Sequence, residues 1–193
     1  MVRIPYVDPD DLPEENRNLL ETSMDAGDLE EAHEHLFSTE TRNVHRAIGN
    51  NPAVLRGFRS SNTTLWNESG VTERQRELVI LATARAIDSR YEWHQHVRHA
   101  LGAGLTPDEI RAIAREDYDS FSDPEAALLT YVAALTQGEV EDDQYTGVAA
   151  QFDDSTVVGI TMLASKYVGL ARALAAFDVD TEEPFVGWGL ERL

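Results

Sequence analysis

The 193-residue sequence predicts an all-helical fold, and three observations carry that prediction. Helix-start signals recur along the chain: Thr72 lies three residues before Gln75, Thr106 before Glu109 and Ser122 before Glu125, each at capping-box spacing. Pro107 and Pro124 stand in first turns, and Gly102, Gly104 and Gly138 stand where helices would stop. Alternating apolar and polar runs of strand length are almost absent. A chain of this size can bury roughly 70% of its unfolded surface, enough for one core.

Taken in order, the elements begin with a helix near 13–24, followed by DAGDLEE (25–31) as the one candidate linker. Further helices are expected at 40–49 and, after the break at Asn50-Asn51-Pro52, at 53–67. TERQRELVILATARAID, opened by Thr72 and apolar nearly all round, predicts a central helix over 72–88. The stretch YEWHQHVRHALGAGL (91–105) continues as a helix to Gly102 or Gly104. The caps at TPDE and SDPE open two more helices. A short helix near 141–151 and a long apolar one over about 155–176 complete eight to nine. The tail TEEPFVGWGLERL has no period, and its Phe185 and Trp188 are expected to dock on a surface or a neighbouring subunit. With no repeat or low-complexity tract, the reading is a single domain over 1–193 with an N-terminal helical extension of about fifty residues.

Composition excludes several functions. Sixteen Lys and Arg against thirty-five Asp and Glu leave a formal charge of −19, which repels phosphate backbones and anionic lipid. Nucleic acid and membrane are therefore not expected as partners. No apolar run reaches eighteen residues and no secretory signal opens the chain, so the expected location is the cytoplasm. Lys166 is the single lysine, and the acids are spread throughout. This pattern fits a salt-adapted, halophilic surface, because mobile ions screen such self-repulsion within about 10 Å at 0.1 M. The melting temperature should then rise with added potassium chloride. A melting temperature constant from dilute buffer to multimolar salt would refute that reading. Cysteine is absent, which removes disulfides, thiolate metal sites and thiol nucleophiles.

The stretch 89–99 concentrates the candidates for chemistry. At roughly 100° per residue, Ser89, Glu92, His96 and His99 fall on one helical face while His94 points elsewhere. Glu92 and His96, at i and i+4, are placed to share a hydrogen bond and hold a proton near neutral pH. Read by spacing alone, the pair fits a wetted surface pair on an amphipathic helix better than a site. Three ligands on one helix converge poorly on a metal, and no HExxH motif is present, so no metal or cofactor is assigned.

The stretch Arg76 to Ile110, RELVILATARAIDSRYEWHQHVRHALGAGLTPDEI, resembles the carboxymuconolactone decarboxylase and alkylhydroperoxidase D superfamily. IPYVDPDDLPEENRNLL, NVHRAIGNNPAVLRGF and YVGLARALAAFDVD resemble, in order, other segments of its longer members. The resemblance implies an alkylhydroperoxidase D-like helical bundle and a homotrimer or homohexamer. The thiol-dependent branch uses Cys-x-x-Cys-x-x-x-His with a glutamate twelve residues before the first cysteine. That spacing falls on Ser89, Glu92, His96 and Glu77. Both thiols are missing, so peroxiredoxin-type chemistry is not expected. The decarboxylase branch implies an acid–base enzyme of the lyase type acting on a small carboxylated lactone or ketoacid, with no cofactor. On that basis His96 is the candidate general acid, Glu92 its orienting partner and Glu77 a second proton carrier. Arg85 or Arg98 is expected to hold a substrate carboxylate, with Trp93 and Ser89 as further substrate contacts. The alternatives are other chemistry on the same fold, including metal assistance through Glu92, His96 and His99, and a non-catalytic oligomer that binds a small ligand.

Overall fold

The computed structural model describes residues 2–20 and 41–193. The expected linker 25–31 and the part of the first helix beyond Leu20 lie outside them. Among the described residues the chain forms two short 3-10 helices, Pro9–Asp11 and Glu14–Leu20, and eight α-helices without strands. The latter are α1 (Asn43–Ile48), α2 (Pro52–Glu68), α3 (Glu73–Ala86), α4 (Arg90–Gly102), α5 (Pro107–Ala114), α6 (Asp123–Gln137), α7 (Asp142–Ala149) and α8 (Asp154–Phe177).

The central position of α3 follows from its composition. Leu78 to Ala84 are buried without interruption, so this helix must be surrounded, and α4, α5, α6 and α8 pack around it. Its start is fixed by the Thr72–Gln75 capping box. Arg74, one residue into the helix, donates to Glu109 and Glu125. Those two glutamates close the capping boxes of α5 and α6. One guanidinium thus ties three helix starts together, and each glutamate serves a cap and an ion pair at once.

Between α3 and α4 the chain turns within three residues. Asp88 adopts φ +56°, in the left-handed region, and Ser89 N–H returns to the Ala84 carbonyl at 2.7 Å. The tight turn sets α4 antiparallel against α3, which brings the second turn of α3 opposite the middle of α4.

The long helix α8 has the length and composition to cross a bilayer. Its Val157, Ile160, Leu163, Ala164 and Tyr167 are nevertheless buried in the core formed with α3 and α6. The crossing of α8 over the end of α2 depends on Gly159, where a Cβ would lie 2.0 Å from the Ser69 carbonyl oxygen. Backbone must move to admit it. Gly159→Ala should therefore destabilise the fold by about 1–3 kcal/mol, the usual cost of overpacking. A denaturant midpoint equal to that of the parent would show that the crossing relaxes freely.

After α8 the C-terminal residues form a strap over α4 of the same chain. Trp188 packs against Trp93 with ring centroids 5.0 Å apart, Val186 and Leu190 are buried, and Trp93 Nε1 donates to the Gly187 carbonyl at 3.1 Å.

Candidate functional site

The site forms where α3 and α4 face each other. Glu77 lies in the second turn of α3, fully buried, and His96 comes from α4 with 3% exposure. Their side chains meet at 2.7 Å, Glu77 Oε2 to His96 Nδ1. Arg76 Nε donates to the other oxygen, Glu77 Oε1, at 3.0 Å. Burial alone would push the Glu77 carboxyl upward, but His96, by charge and hydrogen bond, and Arg76 outweigh it and hold the group below its ordinary range. An ionised Glu77 can only accept, so the hydrogen in this contact sits on His96 Nδ1. Nε2 is then the ring nitrogen that can exchange a proton.

His96 Nε2 faces Glu92, whose Oε2 is 3.8 Å away. That distance is too long for a hydrogen bond. The expected pairing is therefore exchanged: Glu77, across the helix pair, orients His96, and Glu92 stands opposite the free nitrogen. Adjacent turns of one helix bring Glu92 and His96 near each other, whereas the α3–α4 packing aims Glu77 straight at the ring. Glu92 is 4% exposed and its Oε1 has no hydrogen-bond partner. Burial pushes its carboxyl up to about 8, with Arg42 acting downward and Glu182 upward. At neutral pH it is mostly the neutral acid, with a proton to give.

His99 completes the cluster on α4, its ring centroid 5.2 Å from that of His96. Its Nε2 lies 3.0 Å from the Arg42 guanidinium. Arginine can only donate, so His99 accepts at Nε2 and is neutral. Burial holds it well below its ordinary range, in keeping with that assignment. Trp66 and Tyr167 supply the walls. Trp66 packs edge-on against both imidazoles, carries Arg76 over its ring at 4.4 Å, and donates Nε1–H to the Tyr167 hydroxyl at 3.1 Å. Tyr167 packs edge-on against His96.

The structure thus brings together Glu77, Glu92, His96 and His99 but not the other expected residues. Arg85 lies eight residues beyond Glu77 on α3, roughly 12 Å along the axis. There it donates to the Ala114 carbonyl and stacks on Trp188. Arg98 turns to the opposite face of α4, donating to the His94 carbonyl and pairing with Glu183. Trp93 is wholly buried under the strap, because its large ring sits on the core side of α4. Ser89 is the N-cap residue of α4 and lines a separate shallow cleft with Ile87, Arg90, Arg172 and Asp178. The arginines that do reach the cluster are Arg42 and Arg76. Neither Arg42, before α1, nor Trp66, in α2, had a spacing to tie it to α4; only tertiary packing places them.

Among the described residues no group of three or more His, Asp or Glu is arranged to hold a metal ion.

Residues 52–141 match the model of the carboxymuconolactone decarboxylase family. No curated protein sequence matches the chain. Among solved structures, an uncharacterised peroxidase-related protein with an alkylhydroperoxidase D core from Ralstonia eutropha JMP134 superposes with a TM-score of 0.77. It is 16% identical, over 97% of this chain and 96% of that one. A peroxidase-related protein from Silicibacter sp. TM1040 also gives 0.77 at 16% identity, covering 96% and 94%. The apo debrominase Bmp8 gives 0.74 at 14% identity, covering 92% and 90%. At such identities the likeness is one of fold. The family match lies across α2 to α6, the helices that carry Trp66, Glu77, Glu92, His96 and His99, so residues 52–141 resemble the carboxymuconolactone decarboxylase family, on a fold of the alkylhydroperoxidase D-like type.

Proposed function

We propose that the chain is a thiol-independent acid–base enzyme of the lyase type, acting on a small carboxylated lactone or ketoacid. The observation that carries this reading is the ordered series Glu77–His96–Glu92. An ionised carboxylate holds one imidazole nitrogen at 2.7 Å, and the other nitrogen faces a buried carboxyl whose Oε1 has no hydrogen-bond partner. Such a series stores and moves protons in a dry site, where a positioned acid or base is effective. Loss of carbon dioxide from the substrate leaves the bonding electron pair on carbon, conjugated to a carbonyl. Glu92, protonated at neutral pH, delivers a proton to that carbon and becomes a carboxylate. His96 Nε2 relays a replacement from solvent, and Glu77 stabilises the imidazolium while it exists. Arg42 takes the role expected of Arg85 or Arg98, since a guanidinium suits a substrate carboxylate.

Turnover of a panel of carboxylated γ-lactones and β-ketoacids in deuterium oxide tests the reading. Carbon dioxide should be released, and one solvent deuteron should appear on the product carbon by NMR. Decarboxylated product lacking solvent deuterium at that carbon would rule out protonation by this exchangeable series.

A further inference from the structure

The start of α1 is held in place by the opposite end of the chain. Glu182, on the C-terminal strap, accepts from the Asn43 backbone N–H at 2.6 Å and from the Tyr91 hydroxyl at 2.8 Å, both through Oε1. Its Oε2 accepts from Gln95 Nε2. The Tyr91 hydroxyl in turn accepts from the Val44 backbone N–H at 3.1 Å. Two residues earlier on the strap, the Asp180 carbonyl accepts from Asn43 Nδ2 at 3.0 Å. The first backbone N–H groups of a helix have no partner inside it, so both α1 donors are satisfied by groups from outside. Asn43, Tyr91 and Gln95 are all buried. A six-residue helix has little stability of its own, and its position is set by such contacts. Arg42 is the residue immediately before that first turn, and from there its guanidinium reaches His99.

We propose that Glu182 is a positioning residue of the site: by clamping the first turn of α1 to Tyr91 and Gln95 of α4, it sets the reach of Arg42 into the Glu92–His96–His99 cluster. Glu182 acts through the Asn43 backbone, Tyr91 and Gln95. It joins the strap to α1 on one side and to α4 on the other, and Tyr91 and Gln95 flank Glu92 in sequence. Its charge also acts on the cluster, raising the proton affinity of Glu92 while Arg42 lowers it. Glu183, the next residue, points to Arg98 on another face of α4 and provides an internal control. The importance of Arg42 for substrate rests on the acid–base reading above; its placement by Glu182 does not.

The test uses the 15N shifts of the histidine rings in the full-length, substrate-free protein. Removing the guanidinium with Arg42→Ala should move the His99 Nε2 resonance from its hydrogen-bonded position and so define the displaced state. Glu182→Ala should reproduce that movement. Glu182→Gln, which keeps an accepting oxygen and the side-chain shape, should lie between the two states with an unchanged circular dichroism spectrum. Glu183→Ala should leave the resonance in place. If Arg42→Ala moves His99 but both Glu182 variants leave it at the parental position, the clamp is overturned while the proton series stands. If Arg42→Ala moves nothing, the inference fails at its premise, and the deuterium experiment still decides the acid–base reading separately. With a substrate in hand, Glu182→Gln should raise KM by about tenfold, roughly one displaced hydrogen bond, and leave kcat nearly unchanged. A fall in kcat alone would contradict a role in placing Arg42 for binding.

Discussion

His96→Ala should lower turnover by about 10²- to 10⁴-fold while leaving the fold intact. The magnitude is the usual contribution of a positioned acid or base. It applies here because His96 stands between two carboxyl groups of opposite protonation, ionised Glu77 at Nδ1 and protonated Glu92 near Nε2. Glu77→Gln should impair turnover by a different route. An amide at that position can donate as well as accept, so it no longer fixes the hydrogen on Nδ1, and part of the population would present the wrong nitrogen to Glu92. The two variants also differ in stability. Removing His96 leaves the buried Glu77 with Arg76 still bonded to it, whereas removing the Glu77 charge leaves Arg76 facing a neutral group in a dry interior, which is costly. Kinetics on an active substrate, with circular dichroism and melting on the same samples, would separate these effects. Full activity in both variants would reduce the cluster to a buried structural network.

The helices were legible because local rules decide them. Thr72, Thr106 and Ser122 open α3, α5 and α6 through the capping boxes their spacing indicates, and α8 covers the expected apolar stretch almost to the residue. The N-terminal stretch at 13–24 takes 3-10 geometry over Glu14–Leu20 in its described part, a distinction that apolar spacing does not report. The face of α4 was legible for the same reason: Glu92, His96 and His99 do cluster, and His94 does turn away, accepting from the Val186 N–H. Glu77 came from motif spacing, and the packing of α3 on α4 sets it against His96. What local rules could not give was the partner across the helix pair. An i, i+4 spacing guarantees proximity and not orientation, so Glu92 was given the contact that Glu77 makes. Arginines failed for a related reason. Arg85 and Arg98 are close to the motif in sequence but lie on other faces, while Arg42 arrives from fifty residues upstream, held by a strap from the far end of the chain.

Glu92→Gln should stabilise the protein increasingly as pH rises from about 4.5 to about 8. Burial raises the Glu92 carboxyl to about 8 from an ordinary 4.5. The folded state therefore binds this proton more tightly than the unfolded state does. Below pH 4.5 both states are protonated and burial of the neutral acid is tolerated. Between the two values the unfolded chain loses its proton and the folded chain keeps it, so stability falls with rising pH. Above about 8 the folded protein must hold a carboxylate whose Oε1 has no partner, and the accumulated loss reaches its limit. At about 1.4 kcal/mol per pH unit that limit is on the order of 5 kcal/mol, an upper bound that any structural relaxation reduces. Glutamine keeps the shape and cannot ionise, so this part of the pH dependence should disappear. Denaturant melts of the two proteins should nearly coincide at pH 4.5 and separate by several kcal/mol at pH 8.5, with the variant the more stable. The same substitution should slow turnover, because the buried carboxyl that costs stability as pH rises is the proton donor of the proposed reaction. Parallel stability profiles for the two proteins across this range would mean that Glu92 is ionised and paired in the folded state, and the proton series would lose its donor.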